Sequence, residues 1–218
     1  MIDIQNQRDQ RDIPLAKVGV KGLQYPIRVL DKVKKVQHTA ARADLYVDLP
    51  RHFKGTHMSR FIEIFHRYRD DFSMPRFLDM LREIRADLEA ESAFGSLSFP
   101  YFMEKKAPVS GLPGIMSYEC HYQGWVRADA NSPEEHHFTV SVSVPVTTVC
   151  PCSKAISSRG AHNQRGLVRV ELELGPFFWI EDIITLVEKS ASSPVYSLLK
   201  REDEKFVTEQ GSDNPKCV

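Results

Sequence analysis

One stretch of the sequence, TVCPCSKAISSRGAHNQRG at residues 148–166, concentrates reactive side chains. Cys150 and Cys152 flank a proline, and His162 follows among small, polar and basic residues. Thiolate and imidazole are the usual protein ligands of zinc and similar divalent metals. However, a Cys-x-Cys pair with one distant histidine lacks the paired Cys-x-x-Cys spacing of structural zinc fingers. The spacing alone therefore leaves metal binding and a purely structural role equally open.

A catalytic metal site needs a third protein ligand and one open coordination position. The nearest later carboxylates lie in LLKREDEKFVTE, and spacing does not choose among its acidic residues, Glu202, Asp203 and Glu204. The structural alternative, which we prefer for both residues, makes Cys152 a small buried residue, as free cysteines often are, and gives Cys120 on its strand the same role. In that alternative His162 only caps or braces its loop.

A second stretch, KGTHMSRF at residues 54–61, places polar and basic residues where a strand leads into a helix. A helix N-terminus offers free backbone N–H groups and a positive dipole, which together favour an anion. His57 and Arg60 are therefore candidate contacts of an anionic ligand. The structural alternative is helix capping by Thr56 or Ser59, and we prefer that interpretation for Thr56.

Composition excludes several classes of function. The 218 residues contain 29 Lys and Arg and 29 Asp and Glu, which argues against a nucleic-acid binder with a global basic field. No apolar run approaches the length of a membrane span, and the N-terminus lacks the apolar region of a signal peptide. Four cysteines are too few for a disulfide scaffold. The sequence therefore predicts a cytoplasmic protein that binds neither nucleic acid nor membrane.

The elements that must position these residues follow from the hydrophobic pattern. Alternation with a period of two predicts antiparallel strands with one wet face, in a sheet interrupted by one long loop that carries the cysteines and His162. Helical spacing predicts helices across 61–68, 77–88 and 180–187, and a shorter helical piece across 195–199. The order predicts an α+β fold, an antiparallel sheet with paired helices on one face.

Several separate segments, in order, resemble GTP cyclohydrolase I of type IB: GTHMSRF, APVSG, VPVTTVCPCSKAIS, GAHNQRG and SPVYSLLKREDEKFVTE. The resemblance runs from KVGVKGLQYPI to the last residue. It implies a tunnelling fold, in which two fused modules form each subunit and subunits assemble into a barrel-like homotetramer with active sites at subunit interfaces. We expect a polar arm at about residues 1–18, a first module at about 19–110 and a second module at about 111–218.

The resemblance also implies a reaction. Enzymes of this family open the imidazole ring of GTP, release formate and form 7,8-dihydroneopterin triphosphate, the first step of folate biosynthesis. A divalent metal (zinc, manganese or iron) would suit this step, because it lowers the pKa of bound water and polarises the scissile bond. The resemblance places that metal on Cys150, His162 and Glu204.

Substrate contacts follow less directly. A triphosphate needs cationic donors, and the candidates are Lys54, Arg60, Lys154 and Arg165. His57 is a candidate proton shuttle, catalytic together with Cys150 and His162. The family's purine-gripping glutamate is expected immediately after Val218, and Cys217 stands where the family usually has an aromatic residue. A protein that truly lacked the following segment is expected to be inactive and to keep an unpaired sheet edge.

Three alternatives remain open at the level of sequence. The first is a thiol-nucleophile enzyme similar to the nitrile reductase of the queuosine pathway, in which a cysteine attacks a nitrile and NADPH reduces the adduct. This alternative gives no role to Glu204. The others are a non-catalytic oligomer that binds a purine or pterin, and a structural zinc module. Reversible oxidation of Cys150 with Cys152 is a further hypothesis, which thiol titration under oxidant would test.

Overall fold

A computed structural model describes residues 13–51, 55–128, 133–173, 175 and 177–216. Within these residues the strands are β1 (Leu15–Asp31), β2 (Lys35–Leu49), β3 (Ser92–Lys106), β4 (Pro113–Arg127), β5 (Glu135–Val149), β6 (Asn163–Glu173) and β7 (Ser193–Pro194). The helices are α1 (Met58–Tyr68), α2 (Met74–Asp87), α3 (Pro151–Ile156), α4 (Ile180–Ser190) and α5 (Arg201–Asp213). The strands lie side by side in chain order from β1 to β6, and β7 pairs with β5. The predicted α+β class with an antiparallel sheet is confirmed.

The described residues divide into two compact units. Unit 1 contains the chain up to Phe99 together with His121–Val140 and Leu172–Gly175. Unit 2 contains Pro100–Cys120, Ser141–Glu171 and the chain after Gly175. The units are thus interleaved along the sequence, and the predicted consecutive modules stay a prediction. No helix among the described residues is long and apolar enough to cross a membrane.

Unit 1 is built on the predicted hairpin of β1 and β2. The two strands are antiparallel, with Leu30 opposite Val36 next to the turn. The Asp31 carboxylate closes this turn, because it accepts the backbone N–H groups of Val33 and Lys34 at 2.9 and 2.6 Å. Alternate residues are buried over positions 27–31 of β1 and 41–49 of β2, as the period of two predicted.

The helices of unit 1 occur where the apolar spacing predicted them, but the cap of α1 differs from expectation. His57 has the extended backbone of an N-cap, and no side chain caps this end. The predicted capping by Thr56 or Ser59 is therefore wrong. Thr56 is one position too early and its hydroxyl is buried without a hydrogen-bond partner, whereas Ser59 already lies inside the first turn.

Unit 2 differs from the sequence prediction in two places. Helix α3 occupies part of the predicted long loop, and its residues are not buried. The predicted helical piece across 195–199 is wrong, because Ser193–Pro194 pair with β5 and the Val195 carbonyl accepts a hydrogen bond from Lys105. The helix begins instead at Arg201.

A buried ion pair forms part of the interior of unit 2. The ammonium of Lys105 lies 2.7 Å from a carboxylate oxygen of Glu188 and 4.3 Å from the centre of the Tyr196 ring. The Tyr118 hydroxyl donates to the same carboxylate oxygen at 3.0 Å. Burial lowers the pKa of Lys105, while Glu188 opposes that shift. Each charge in this pair therefore depends on the other for compensation.

We expect Lys105→Met to lower the free energy of unfolding by about 3–5 kcal/mol, since it leaves the Glu188 carboxylate buried without its cation. The double variant Lys105→Met/Glu188→Leu should recover most of that loss, because it removes both charges. Urea denaturation measures both effects, and Lys106→Met, on an exposed neighbour, is the control. A Lys105→Met protein as stable as its parent would contradict this prediction.

Candidate active site

Cys150 lies at the junction between β5 and α3. The alternating pattern of β5 ends at Val149, and Pro151 follows as the first residue of α3, a position that proline favours. Cys150 is thereby the N-cap of α3, and its sulfur accepts the backbone N–H of Ser153 at 3.5 Å. The thiol is partly exposed. The sequence therefore places a partly exposed thiol at the N-terminus of a short helix.

His162 is held next to this junction by backbone contacts. The Cys150 N–H donates to the His162 carbonyl at 2.8 Å. The Ser153 hydroxyl accepts the His162 N–H at 2.7 Å and donates to the Cys150 carbonyl at 3.0 Å. The structure therefore brings together two of the predicted site residues. Sequence reasoning missed Ser153, although its position three residues after a cap is a recognisable signal.

The three described cysteines have different environments. Cys120 is buried, as predicted, and burial raises the pKa of its thiol. Cys152 is exposed, so the preferred interpretation of it as a buried residue is wrong; α3 packs none of its residues into the core. The backbone N–H and hydroxyl of Ser153 lower the pKa of Cys150. Of these three thiols, Cys150 combines access with a stabilised thiolate.

Glu204 lies in the first turn of α5, with an exposed carboxylate 3.7 Å from the Arg201 guanidinium. Its neighbour Asp203 is fully buried and accepts the backbone N–H of the N-cap residue Lys200 at 2.9 Å, as in a capping box. Burial alone raises the pKa of Asp203, but donors from Ser110, Lys200 and Val109 outweigh it and hold that pKa well below its usual range. Of these two carboxylates, Glu204 is the more accessible to a ligand.

The donor set of Cys150, His162 and Glu204 fits a divalent metal by its chemistry, because it combines sulfur, nitrogen and carboxylate oxygen. The stabilised thiolate of Cys150 supports this fit. Within the part of the chain that the structure describes, however, no three His, Cys, Asp or Glu side chains form a group that could hold a metal ion. The three-ligand site remains a prediction.

The predicted triphosphate contacts occupy different places. The Lys154 ammonium donates to the Ser212 carbonyl in the last turn of α5, and Arg165 is exposed on β6. Arg60 contacts Asp87, with its guanidinium donating to the Asp87 carbonyl at 2.5 Å. Lys54 lies outside the described residues, as does Cys217. These roles in substrate binding stay predictions.

His57 and Arg60 line a small cleft of unit 1, together with Thr56, Asp87 and Glu89. The residues near the junction of β5 and α3, and those of α5, belong to unit 2. The predicted role of His57 as a proton shuttle therefore stays a prediction.

The sequence model of the family described as type I GTP cyclohydrolase folE2 matches residues 1–218. The chain is 56% identical over 218 residues to a GTP cyclohydrolase FolE2 from Syntrophus aciditrophicus (strain SB), covering all of this chain and 84% of that protein. It is 52% identical over 218 residues to the protein of the same name from Geotalea uraniireducens (strain Rf4), of which it covers 78%. A third, from Geobacter sulfurreducens, is 51% identical, with 82% covered.

These matches cover the stretches that carry Cys150, His162 and Glu204 as well as the hairpin and helices of unit 1. They agree with the resemblance drawn from the separate motifs. The chain belongs to the type I GTP cyclohydrolase FolE2 family.

Proposed function

We propose that this chain is a GTP cyclohydrolase that opens the imidazole ring of GTP and releases formate. The product is 7,8-dihydroneopterin triphosphate, which enters folate biosynthesis. The family membership supports the reaction. The observation that carries the assignment to a site is the corner in which Ser153 joins Cys150 to His162 and stabilises the Cys150 thiolate.

Cys150, His162 and Glu204 would hold a divalent metal, which when bound supplies Lewis acidity and a water of lowered pKa. The Ser153 N–H favours the thiolate form of Cys150, and the Ser153 hydroxyl accepts the His162 N–H and so holds the backbone at His162. Arg60, Lys154 and Arg165 would bind the triphosphate, together with Lys54. His57 would carry the proton that the leaving ring nitrogen needs.

We also propose the assembly that the family resemblance implies, a barrel-like homotetramer of tunnelling-fold subunits with active sites at the interfaces. Large apolar side chains on the described surface support association of this kind. Ile156 on α3 is 90% exposed, and Leu167 on β6 and Phe177 are 69% and 67% exposed. The cysteine usage supports a reducing, cytoplasmic compartment.

The experiment is to incubate the metal-reconstituted protein with GTP and to quantify formate and 7,8-dihydroneopterin triphosphate. We expect both products to appear in equal amounts, because one formate leaves for each ring opened. The protein is expressed together with any segment that follows Val218, because the family resemblance places the purine-gripping glutamate there, and protein stripped of metal is the matched control. Tight binding of GTP without formate release would instead favour the non-catalytic oligomer.

A further inference from the structure

Asp203 is a buried carboxylate that the proposed reaction leaves without a role. It is 0% exposed, although α5 buries only this residue and Gly211. A fully buried carboxylate in a polar helix requires compensating donors, since an uncompensated buried charge is costly. The contacts that supply this compensation indicate what Asp203 does.

Both oxygens of Asp203 accept two hydrogen bonds each. One oxygen accepts the backbone N–H groups of Val109 and Ser110 at 2.8 and 2.9 Å. The other accepts the Ser110 hydroxyl at 2.7 Å and the Lys200 N–H at 2.9 Å. The carboxylate therefore connects the start of α5 to the connection between β3 and β4, which lies more than ninety positions earlier in the chain.

That connection is itself a closed turn. The Ala107 N–H donates to the Leu112 carbonyl at 2.9 Å, and the Gly111 N–H donates to the Ala107 carbonyl at 3.1 Å. Gly111 has a φ of 68°, a conformation in which glycine avoids the steric cost of a side chain. The turn contains the APVSG motif, to which the proposed reaction assigns no role. It provides Asp203 with a well-defined anchor.

The opposite end of α5 is anchored near Cys150. The backbone at Gly211 passes close to Val149, the last residue of β5, so that a Cβ atom at this position would lie 3.4 Å from the Val149 side chain. The Lys154 ammonium, on α3, donates to the Ser212 carbonyl. Gly211 lies about 10 Å along the helix axis from Glu204. These contacts hold the far end of α5, whereas in its first turn the buried residue is Asp203.

We propose that Asp203 is a positioning residue that orients the first turn of α5 and thereby aims Glu204 as a metal ligand. This inference rests on the proposed function, because it assumes that Glu204 binds the metal. Asp203 and Glu204 are consecutive residues of one helical turn, so their side chains project about 100° apart around the helix axis. Because four hydrogen bonds hold the Asp203 carboxylate, the direction of Glu204 is fixed as well. Losing those bonds would let the turn fray and would disperse the direction of Glu204.

The test measures Zn²⁺ affinity of the full chain by competition with a chromogenic chelator. We expect Asp203→Asn to weaken Zn²⁺ binding by about 10-fold or more. The asparagine NH₂ group would face the donors of Ser110 or Lys200, so hydrogen bonds that orient the first turn would be lost. Ser110→Ala removes one of the four bonds and should weaken binding in the same direction by less. Glu202→Gln loses the same charge from an exposed position of the same turn and should bind like the parent.

A charge-transfer band between the Cys150 thiolate and bound Co²⁺ provides a second readout. We expect Asp203→Asn to keep this band at saturating Co²⁺, because the Cys150 ligand is unchanged. The ligand-field spectrum should shift, because Glu204 is no longer held in the same direction. Should Asp203→Asn fail to fold, Ser110→Ala decides the question by the same measurements.

Parental Zn²⁺ affinity in both Asp203→Asn and Ser110→Ala, with only a lowered melting temperature, would show a purely structural role and overturn the proposal. Glu204→Gln separates this failure from a failure of the proposed function. If Glu204→Gln itself binds Zn²⁺ like the parent, the assumed ligand set is wrong and the proposal falls with it. Weakened binding in Glu204→Gln, in Asp203→Asn and in Ser110→Ala supports both.

Discussion

Cys150→Ser is expected to eliminate measurable formate release, with kcat/KM falling by about a thousand-fold or more. Serine supplies a hydroxyl oxygen that can accept the Ser153 N–H in place of the sulfur, so α3 should still form. What it removes is the thiolate, the soft ligand of the proposed metal site. The loss should therefore appear in metal content and turnover, with little change in thermal stability.

Three measurements check this expectation: formate release under saturating GTP, metal bound per chain, and the melting temperature. Cys152→Ser is the matched control, because Cys152 is exposed, lies in the same short helix and has no place in the proposed ligand set. It should retain activity and metal. A Cys150→Ser protein that binds metal and turns over GTP like its parent would remove Cys150 from the site.

Removal of bound metal should stop GTP ring opening completely, and adding back a divalent ion should restore it. The physical reason is that water adds to the purine ring at neutral pH only when the pKa of the water is lowered or the ring is polarised, and a bound metal ion can do both. The measurement is formate release after treatment with a chelator, and again after titration with Zn²⁺, Mn²⁺ or Fe²⁺. The ion that restores the highest kcat identifies the most effective metal.

A chelator already saturated with metal is the control, because it reproduces every effect of the chelator except metal removal. The thiol-nucleophile alternative predicts a different pattern. A nitrile reductase-like enzyme would keep its activity without metal, would consume NADPH and would be inactivated by alkylation of Cys150. Full GTP turnover by the metal-free protein would therefore contradict the metal-dependent reaction.

The strands were predictable because their signal is local. Alternate residues of β5, such as Val142, Val144 and Val146, are buried, so a period of two is visible in the sequence itself. Helix α2 also has a local signal. Its start at Met74 is marked by the N-cap residue Ser73 and by Pro75 in the first turn. In these elements, burial and hydrophobic pattern coincide.

Helix α5 was not predictable in this way. Its buried residues are Asp203 and Gly211, neither of which contributes to an apolar stripe. The apolar residues just before it, including Leu198 and Leu199, imitate helical spacing but precede the helix. What defines this helix is tertiary contact with residues distant in sequence, and a hydrophobic pattern carries no information about such contacts.

In the candidate site, too, the residue types were predictable from the sequence, whereas the tertiary contacts were not. The donor types of Cys150 and His162 were recognisable from their chemistry, and Glu204 was selected from its neighbours through the family resemblance. The role of Ser153 in joining Cys150 to His162 depends on hydrogen bonds across a turn. Such contacts become apparent only when the backbone path is known, because they connect groups through geometry rather than through composition.

The anchoring of α5 at its ends has a consequence for how strongly the protein could retain a metal. A helix with so little buried apolar surface is expected to detach locally far more often than the core strands. If Glu204 is a ligand, the observed affinity is the intrinsic affinity multiplied by the fraction of time that α5 is docked. Metal retention would then be set by a local folding equilibrium, and a change remote from every ligand atom could tune it.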